Sequence, residues 1–172
     1  MRIAGYNPNS FVDFPGNIAA IVFVGGCNLR CWYCHNAEIL DTKEFLSDDA
    51  ILARIKDNFL LDGVVISGGE PTLQPDLFDF AGKLRAIGMQ VKLDTNGMRP
   101  EVVKEGVERG LFDYVAMDVK APFEKYYKVS PTRTADAAKL RETAAYLMGQ
   151  DRIPYEFRMT VVPQFDIEDI VE

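Results

Sequence analysis

The chain has 172 residues, 48% of them hydrophobic, and a net charge of −7, which suits one domain with a sizeable core. No run approaches the roughly 18–20 uncharged apolar residues of a membrane span, and Met1–Asn9 lacks an apolar signal core. The dispersed lysines and arginines form no basic face to neutralise phosphates, so neither membrane nor nucleic acid is expected as a partner and a cytoplasmic location is.

Residues 1–18 read as a lead-in segment. Within it, Phe14-Pro15-Gly16-Asn17 has Pro and Gly where a type II turn requires them. The first strand is predicted at Ala19–Val24, whose near-continuous apolar character implies burial on both faces, as in a parallel sheet. A loop of Gly, Cys and polar residues follows to about Asp41. Ser47 is placed as the N-cap of a helix with Asp48 and Asp49 in its first turn and Ile51, Leu52, Ile55 and Phe59 on its apolar stripe. Val64–Ile66 forms a second buried strand and runs into Ser67-Gly68-Gly69-Glu70-Pro71-Thr72. A helix from Pro75-Asp76 carries Leu77, Phe80, Ala81, Leu84 and Ile87 on one face, and Gly88 stops it.

The third strand is Gln90–Thr95, ended by Asn96-Gly97. Pro100 opens a helix to Gly110 with Val103 and Val107 inward, and the fourth strand spans about Phe112–Val119. A helix over Ala135–Met148 and a fifth strand at Tyr155–Val162 follow, and Asp166–Asp169 begins a further helix. Strands alternating with helices predict an α/β fold of parallel βα units. In such folds sites gather in the loops after the strands. Cys27–Cys34, Gly68–Glu70, Asp94–Asn96, and Asp118 with Lys120 all fall there, and Arg158 lies within the fifth strand.

All three cysteines lie at Cys27, Cys31 and Cys34, and His35 is the only histidine. An odd, small number of cysteines in a reducing compartment points to metal rather than disulfides. Four readings compete for the C-x3-C-x2-C spacing. A Cys3His zinc site requires adjacent Cys34 and His35 to meet one tetrahedral ion, against the spaced ligands of zinc motifs. Cys31-Trp32-Tyr33-Cys34-His35 matches the C-x-x-C-H haem attachment pattern but leaves Cys27 unexplained. Buried inert thiols would not concentrate in one loop. An iron–sulfur cluster held by three thiolates leaves one iron open to a ligand that is not protein.

C-x3-C-x-aromatic-C after the first strand of a βα array resembles the radical S-adenosylmethionine (SAM) superfamily. Ser67-Gly68-Gly69-Glu70-Pro71 looks like its GGE motif. Val12-Asp13-Phe14-Pro15-Gly16, Cys34-His35-Asn36, Leu93-Asp94-Thr95-Asn96-Gly97, Met117-Asp118-Val119-Lys120, and Arg158 before Val161-Val162-Pro163 are similar to the activating enzymes of glycyl-radical enzymes. Among these, the anaerobic ribonucleoside-triphosphate reductase type is most similar and the pyruvate formate-lyase type next.

The resemblance implies a single radical SAM domain over residues 1–172: a partial (βα) TIM-like barrel, open on one side, with about five βα units. Cys27, Cys31 and Cys34 would hold a [4Fe–4S] cluster, and SAM would chelate its open iron. Tyr33 would lie beside the adenine, and Gly68, Gly69 and Glu70 would take the SAM amine. Asp94, Thr95 and Asp118, with the Ala116 carbonyl, would form a site for the SAM carboxylate and a monovalent cation. Val119, Lys120 and Arg158 complete the SAM contacts, Lys120 and Arg158 at its carboxylate or ribose. His35 would flank the cluster without ligating it, and no catalytic side chain is implied beyond cluster and SAM. The implied reaction is reductive cleavage of SAM to a 5′-deoxyadenosyl radical, which takes hydrogen from a glycine of a partner glycyl-radical enzyme. A flavodoxin- or ferredoxin-like protein would donate the electron.

A radical SAM enzyme for a small molecule, like 7-carboxy-7-deazaguanine synthase, and a non-catalytic zinc-stabilised binding protein are the alternative readings. Family members usually continue with a sixth strand, so the domain is expected to be truncated at its C-terminus, with the fifth strand as an exposed edge.

Overall fold

The structure is a computed structural model and describes residues 1–131, 135–163, 165 and 168. Its frame is one six-stranded sheet in the order β1-β2-β3-β4-β5-β6. The strands are β1 (Ile3–Ser10), β2 (Ala19–Val24), β3 (Gly63–Gly68), β4 (Gln90–Thr95), β5 (Tyr114–Asp118) and β6 (Tyr155–Arg158). Strands β2 to β6 pair in parallel in sequence order, and β1 pairs antiparallel with β2. The helices are α1 (Ala37–Leu40), α2 (Asp48–Asp57), α3 (Leu77–Ala86), α4 (Pro100–Glu108) and α5 (Ala137–Gly149). Sequential parallel strands joined by helical connections build the open, partial βα barrel that the resemblance implied.

Period-2 alternation sorts the strand residues between two faces. Ala20, Val22, Val24, Val64, Ile66, Val91, Leu93, Val115 and Met117 share one core with Ile51 and Ile55 of α2, Phe80 and Leu84 of α3, Val103 and Val107 of α4, and Leu140 of α5. Ala19, Ile21 and Val65 point the other way and pack with Phe14. Farther across the sheet, that inner face carries Lys92, Asp94, Asp118, Glu156 and Arg158, in register with one another or with Tyr114 and Ala116. An apolar outer layer and a charged inner one are thus written in alternate residues of the same strands.

Four local expectations change. Residues 1–18 are not only a lead-in: Ile3–Ser10 is an edge strand, with register breaks between Ile3 and Gly5 and between Asn7 and Ser10. The helix at Asp48 ends at Asp57, so Phe59 falls beyond its stripe and is 92% exposed. Ser47 stands at the N-cap position without a side-chain capping bond. The fifth predicted strand is shorter than Tyr155–Val162 and ends at Arg158. The helix expected at Asp166–Asp169 lies largely outside the described residues. The turn at Phe14–Asn17 has its predicted geometry: Gly16 has φ 77° and the Asn17 amide donates to the Phe14 carbonyl at 3.0 Å.

Candidate active site

The loop after β2 is built by backbone contacts from both sides. Gly69 N donates to Val24 O and Glu70 N to Gly26 O, each at 2.8 Å. A Cβ on Gly69 would collide with the Gly26 carbonyl, and one on Gly68, whose φ is 111°, with the Val24 backbone. Both glycines are therefore required by close approach of two loops. Opposite, Trp32 N donates to Val129 O at 3.2 Å, Trp32 Nε1 to Lys128 O at 3.2 Å, and Arg30 N to Ser130 Oγ at 2.9 Å. The cysteine segment is thus clamped between the turn after β3 and the segment after β5.

One cavity gathers most of the sequence-predicted residues: Cys27, Cys31, Tyr33, Cys34, Gly68, Gly69, Glu70, Asp94, Thr95, Asp118 and Lys120 all line it. His35 and Asn36 also line it. The three thiols are free and half-buried. Burial pushes the Cys27 thiol up to about 11, so its thiolate needs a cation in place of the proton. Among the described residues no three His, Cys, Asp or Glu side chains surround a single metal-ion position. Three thiolates at Cys27, Cys31 and Cys34 suit a cluster in which each binds a different iron. The cavity beside it, lined by glycine backbone, carboxylates and an ammonium, fits a zwitterionic ligand such as the amino-acid end of SAM.

Glu70 is buried, and its carboxylate is saturated by the protein. Oε1 accepts from Thr72 N at 3.1 Å, Thr72 Oγ1 at 2.5 Å and Thr95 Oγ1 at 2.8 Å, and Oε2 accepts from Asn96 N at 2.7 Å. It welds the β3 turn to the end of β4, leaving little acceptor capacity for a ligand amine. Burial raises its pKa although these donors pull it down. Thr95 is also committed here, since its hydroxyl accepts from Gly97 N.

On the inner face Arg158 bridges two acids: NH2 lies 3.2 Å from Asp94 Oδ2, and Nε 3.0 Å from Asp118 Oδ1. Lys120 Nζ is 3.3 Å from Asp118 Oδ2. Burial works against the Lys120 charge, but Asp118 and the Cys31 thiol hold its pKa above the ordinary value. Val119 contributes its amide to the Arg158 carbonyl, at 2.8 Å. Tyr33 sets its hydroxyl 3.5 Å from the Lys120 carbonyl and packs edge-on to Trp32.

Sequence reasoning gave no individual role to Asn28, Asn36, Lys92, Asn96 or Glu156. Asn96 Nδ2 donates to Asn28 Oδ1 at 2.7 Å and reaches Cys27 Sγ at 3.8 Å, and Asn36 Nδ2 donates to Gly68 O at 3.1 Å. Lys92 is 1% exposed, with Nζ 2.5 Å from Asp13 O and 3.1 Å from Glu156 Oε1. The available signal was parity: Lys92 stands two before Asp94 on the inner face.

The radical SAM superfamily model matches residues 21–172. A Methanocaldococcus jannaschii protein named as a glycyl-radical enzyme activating enzyme is 37% identical over 99% of this chain and 74% of its own length. Pyruvate formate-lyase 1-activating enzyme of Escherichia coli K12 is 31% identical over 98% of this chain and 70% of that one. A 7-carboxy-7-deazaguanine synthase of Neisseria meningitidis is 35% identical over 73% of this chain, and the match spans 54% of that enzyme. A solved structure of TYW1 with a lysine-pyruvate adduct shares the fold at TM-score 0.59 and 14% identity, over 88% of this chain and 67% of that one. With its cysteine loop, glycine turn and inner-face acids on one cavity of an open βα sheet, the chain belongs to the radical SAM superfamily.

Proposed function

We propose that this protein is the activating enzyme of a glycyl-radical enzyme, of the anaerobic ribonucleotide reductase type, holding a [4Fe–4S] cluster at Cys27, Cys31 and Cys34 and SAM beside it. The observation that carries this reading is the single cavity shared by the three thiols, Gly68–Glu70, Asp94, Asp118 and Lys120. When bound, cluster and SAM supply a one-electron reductive cleavage that delivers a carbon radical for hydrogen-atom abstraction. The chain's own work is placement. Gly68 and Gly69 let backbone approach the ligand, Asp94 faces its amino-acid end, and Lys120 and Arg158 offer cations to its carboxylate or ribose. Tyr33 packs against the adenine, and His35 stays outside the ligand set.

The substrate is read as a glycine in a polypeptide. The inner face offers three acids, Asp94, Asp118 and Glu156, and three bases, Lys92, Lys120 and Arg158, each paired within the set. Of these only Asp94, Asp118 and Lys120 line the cavity, and a lining without excess positive charge suits a neutral backbone better than an anionic metabolite. The relative named as a glycyl-radical enzyme activating enzyme, aligned over nearly the whole chain, supports the same choice. An electron donor of flavodoxin or ferredoxin type completes the proposal. The similarity to 7-carboxy-7-deazaguanine synthase supports a second reading, a small-molecule substrate at the same site.

Anaerobic reconstitution tests the cofactor assignment: a brown protein with about four irons and matching sulfide is expected, and each of Cys27→Ala, Cys31→Ala and Cys34→Ala should lose it. A colourless protein with one zinc would end this reading. Reduction with SAM and a glycyl-radical partner should then give a glycyl signal in electron paramagnetic resonance. SAM cleavage coupled only to a small molecule would move the function to the second reading.

A further inference from the structure

Asn96 directly follows β4, lines the cavity and is buried. Three bonds fix it. Its backbone amide donates to Glu70 Oε2 at 2.7 Å, its Oδ1 accepts from Met98 N at 3.0 Å, and its Nδ2 donates to Asn28 Oδ1 at 2.7 Å. The Met98 N–H can meet only the oxygen, so the side-chain amide cannot be turned over, and Nδ2 faces the cysteine loop. An NH2 group carries two hydrogens. One goes to Asn28, and the other has Cys27 Sγ before it at 3.8 Å. The Leu29 amide donates to the same sulfur at 3.3 Å. Asn28 Oδ1 also stands 3.8 Å from that sulfur; toward a thiolate it has no hydrogen to offer, and its part is to hold the Asn96 amide in place. Neither the turn at Met98 nor the bond to Glu70 needs the second Nδ2 hydrogen. An N–H aimed at a ligating sulfur stabilises the site more as that sulfur gains negative charge, and reduction of a cluster adds such charge.

We propose that Asn96 is a positioning residue that acts through Cys27: its second amide hydrogen is held for the Cys27 thiolate, raises the reduction potential of the cluster bound there and so eases entry of the electron. The role rests on the cluster reading above and is independent of the SAM contacts.

The test is a mediated redox titration of the anaerobically reconstituted full chain without SAM, read by electron paramagnetic resonance of the reduced cluster. Asn96→Ser keeps an acceptor for Met98 N and loses the reach to Cys27. At the potential where half of the wild-type cluster is reduced, the ratio of reduced to oxidised cluster in Asn96→Ser should be about fivefold lower. A merely structural asparagine gives the opposite sign, because a loosened site admits water, which favours the more negative, reduced cluster. An unchanged or raised potential in Asn96→Ser therefore overturns the proposal. A second measurement needs no variant to fold. Wild type carrying the heavy nitrogen isotope in its asparagine side chains should show coupling of that nitrogen to the reduced cluster in electron spin echo spectroscopy, and absence of the coupling overturns the proposal as well. Reconstituted wild type that takes up no iron–sulfur cluster fails the cluster reading itself.

Discussion

At the scale of single residues, Glu70 shows how a motif side chain serves a site without reaching into it. Four donors from β3–β4 loops converge on its carboxylate. Glu70→Gln would turn an NH2 toward the Asn96 amide or toward the three donors at Oε1, and a loss of about 2 kcal/mol is expected in urea denaturation. The pH dependence has a definite sign. Burial holds the folded carboxyl above its ordinary value of 4.5, so the folded state binds the proton more tightly than the unfolded chain. Its contribution is therefore complete below 4.5 and declines as pH rises through the elevated folded value. The stability gap between wild type and Glu70→Gln should shrink upward from pH 4.5; a gap that widens would contradict the assignment. The cysteines, Asp94 and Asp118 were legible because their residue types are rare in such positions. Lys92, Glu156, Asn28 and Asn36 were not, because their roles depend on strand register and loop packing; only the parity of Lys92 with Asp94 pointed to its face.

Elements explain which boundaries the sequence could announce. The Ala19–Val24 and Gln90–Thr95 strands stand where their apolar runs and flanking turns placed them. β1 was hidden: its segment contains Gly5, Asn7, Pro8 and Asn9, and it is an edge strand with two irregularities. The glycines separate two kinds of constraint. Gly69 sits against the Gly26 carbonyl, so Gly69→Ala should force the loops apart, costing about 2–3 kcal/mol and lowering cluster content on reconstitution. Gly82, inside α3, has nothing near its absent Cβ, and Gly82→Ala should stabilise by about 0.8–1 kcal/mol. Parallel urea titrations of both variants decide this, and a stabilising Gly69→Ala would refute the close-approach account.

Over the whole molecule, the same strands present an apolar face to the helices and a charged face inward. β3 and β4 each have parallel partners on both sides, whereas among the described residues β1 and β6 are the outermost strands. Hydrogen exchange read by mass spectrometry should therefore find β3 and β4 amides slowest and β6 amides distinctly faster; equal protection would mean that β6 is covered by another chain. The fold class was readable from alternation alone. Its inner polarity was not, because Lys92 and Glu156 look like ordinary surface charges until the sheet curves around them.

The clamped cysteine loop carries a consequence for the protein's life in air. Trp32 and Arg30 hold it to residues 128–130, and Gly69 and Glu70 bind the segment just before it. None of these bonds involves a thiol. If the proposed cluster is lost to oxygen, these bonds remain, and the expected repair is the return of iron and sulfide to a standing frame, with unchanged far-UV circular dichroism of the iron-free protein as the check.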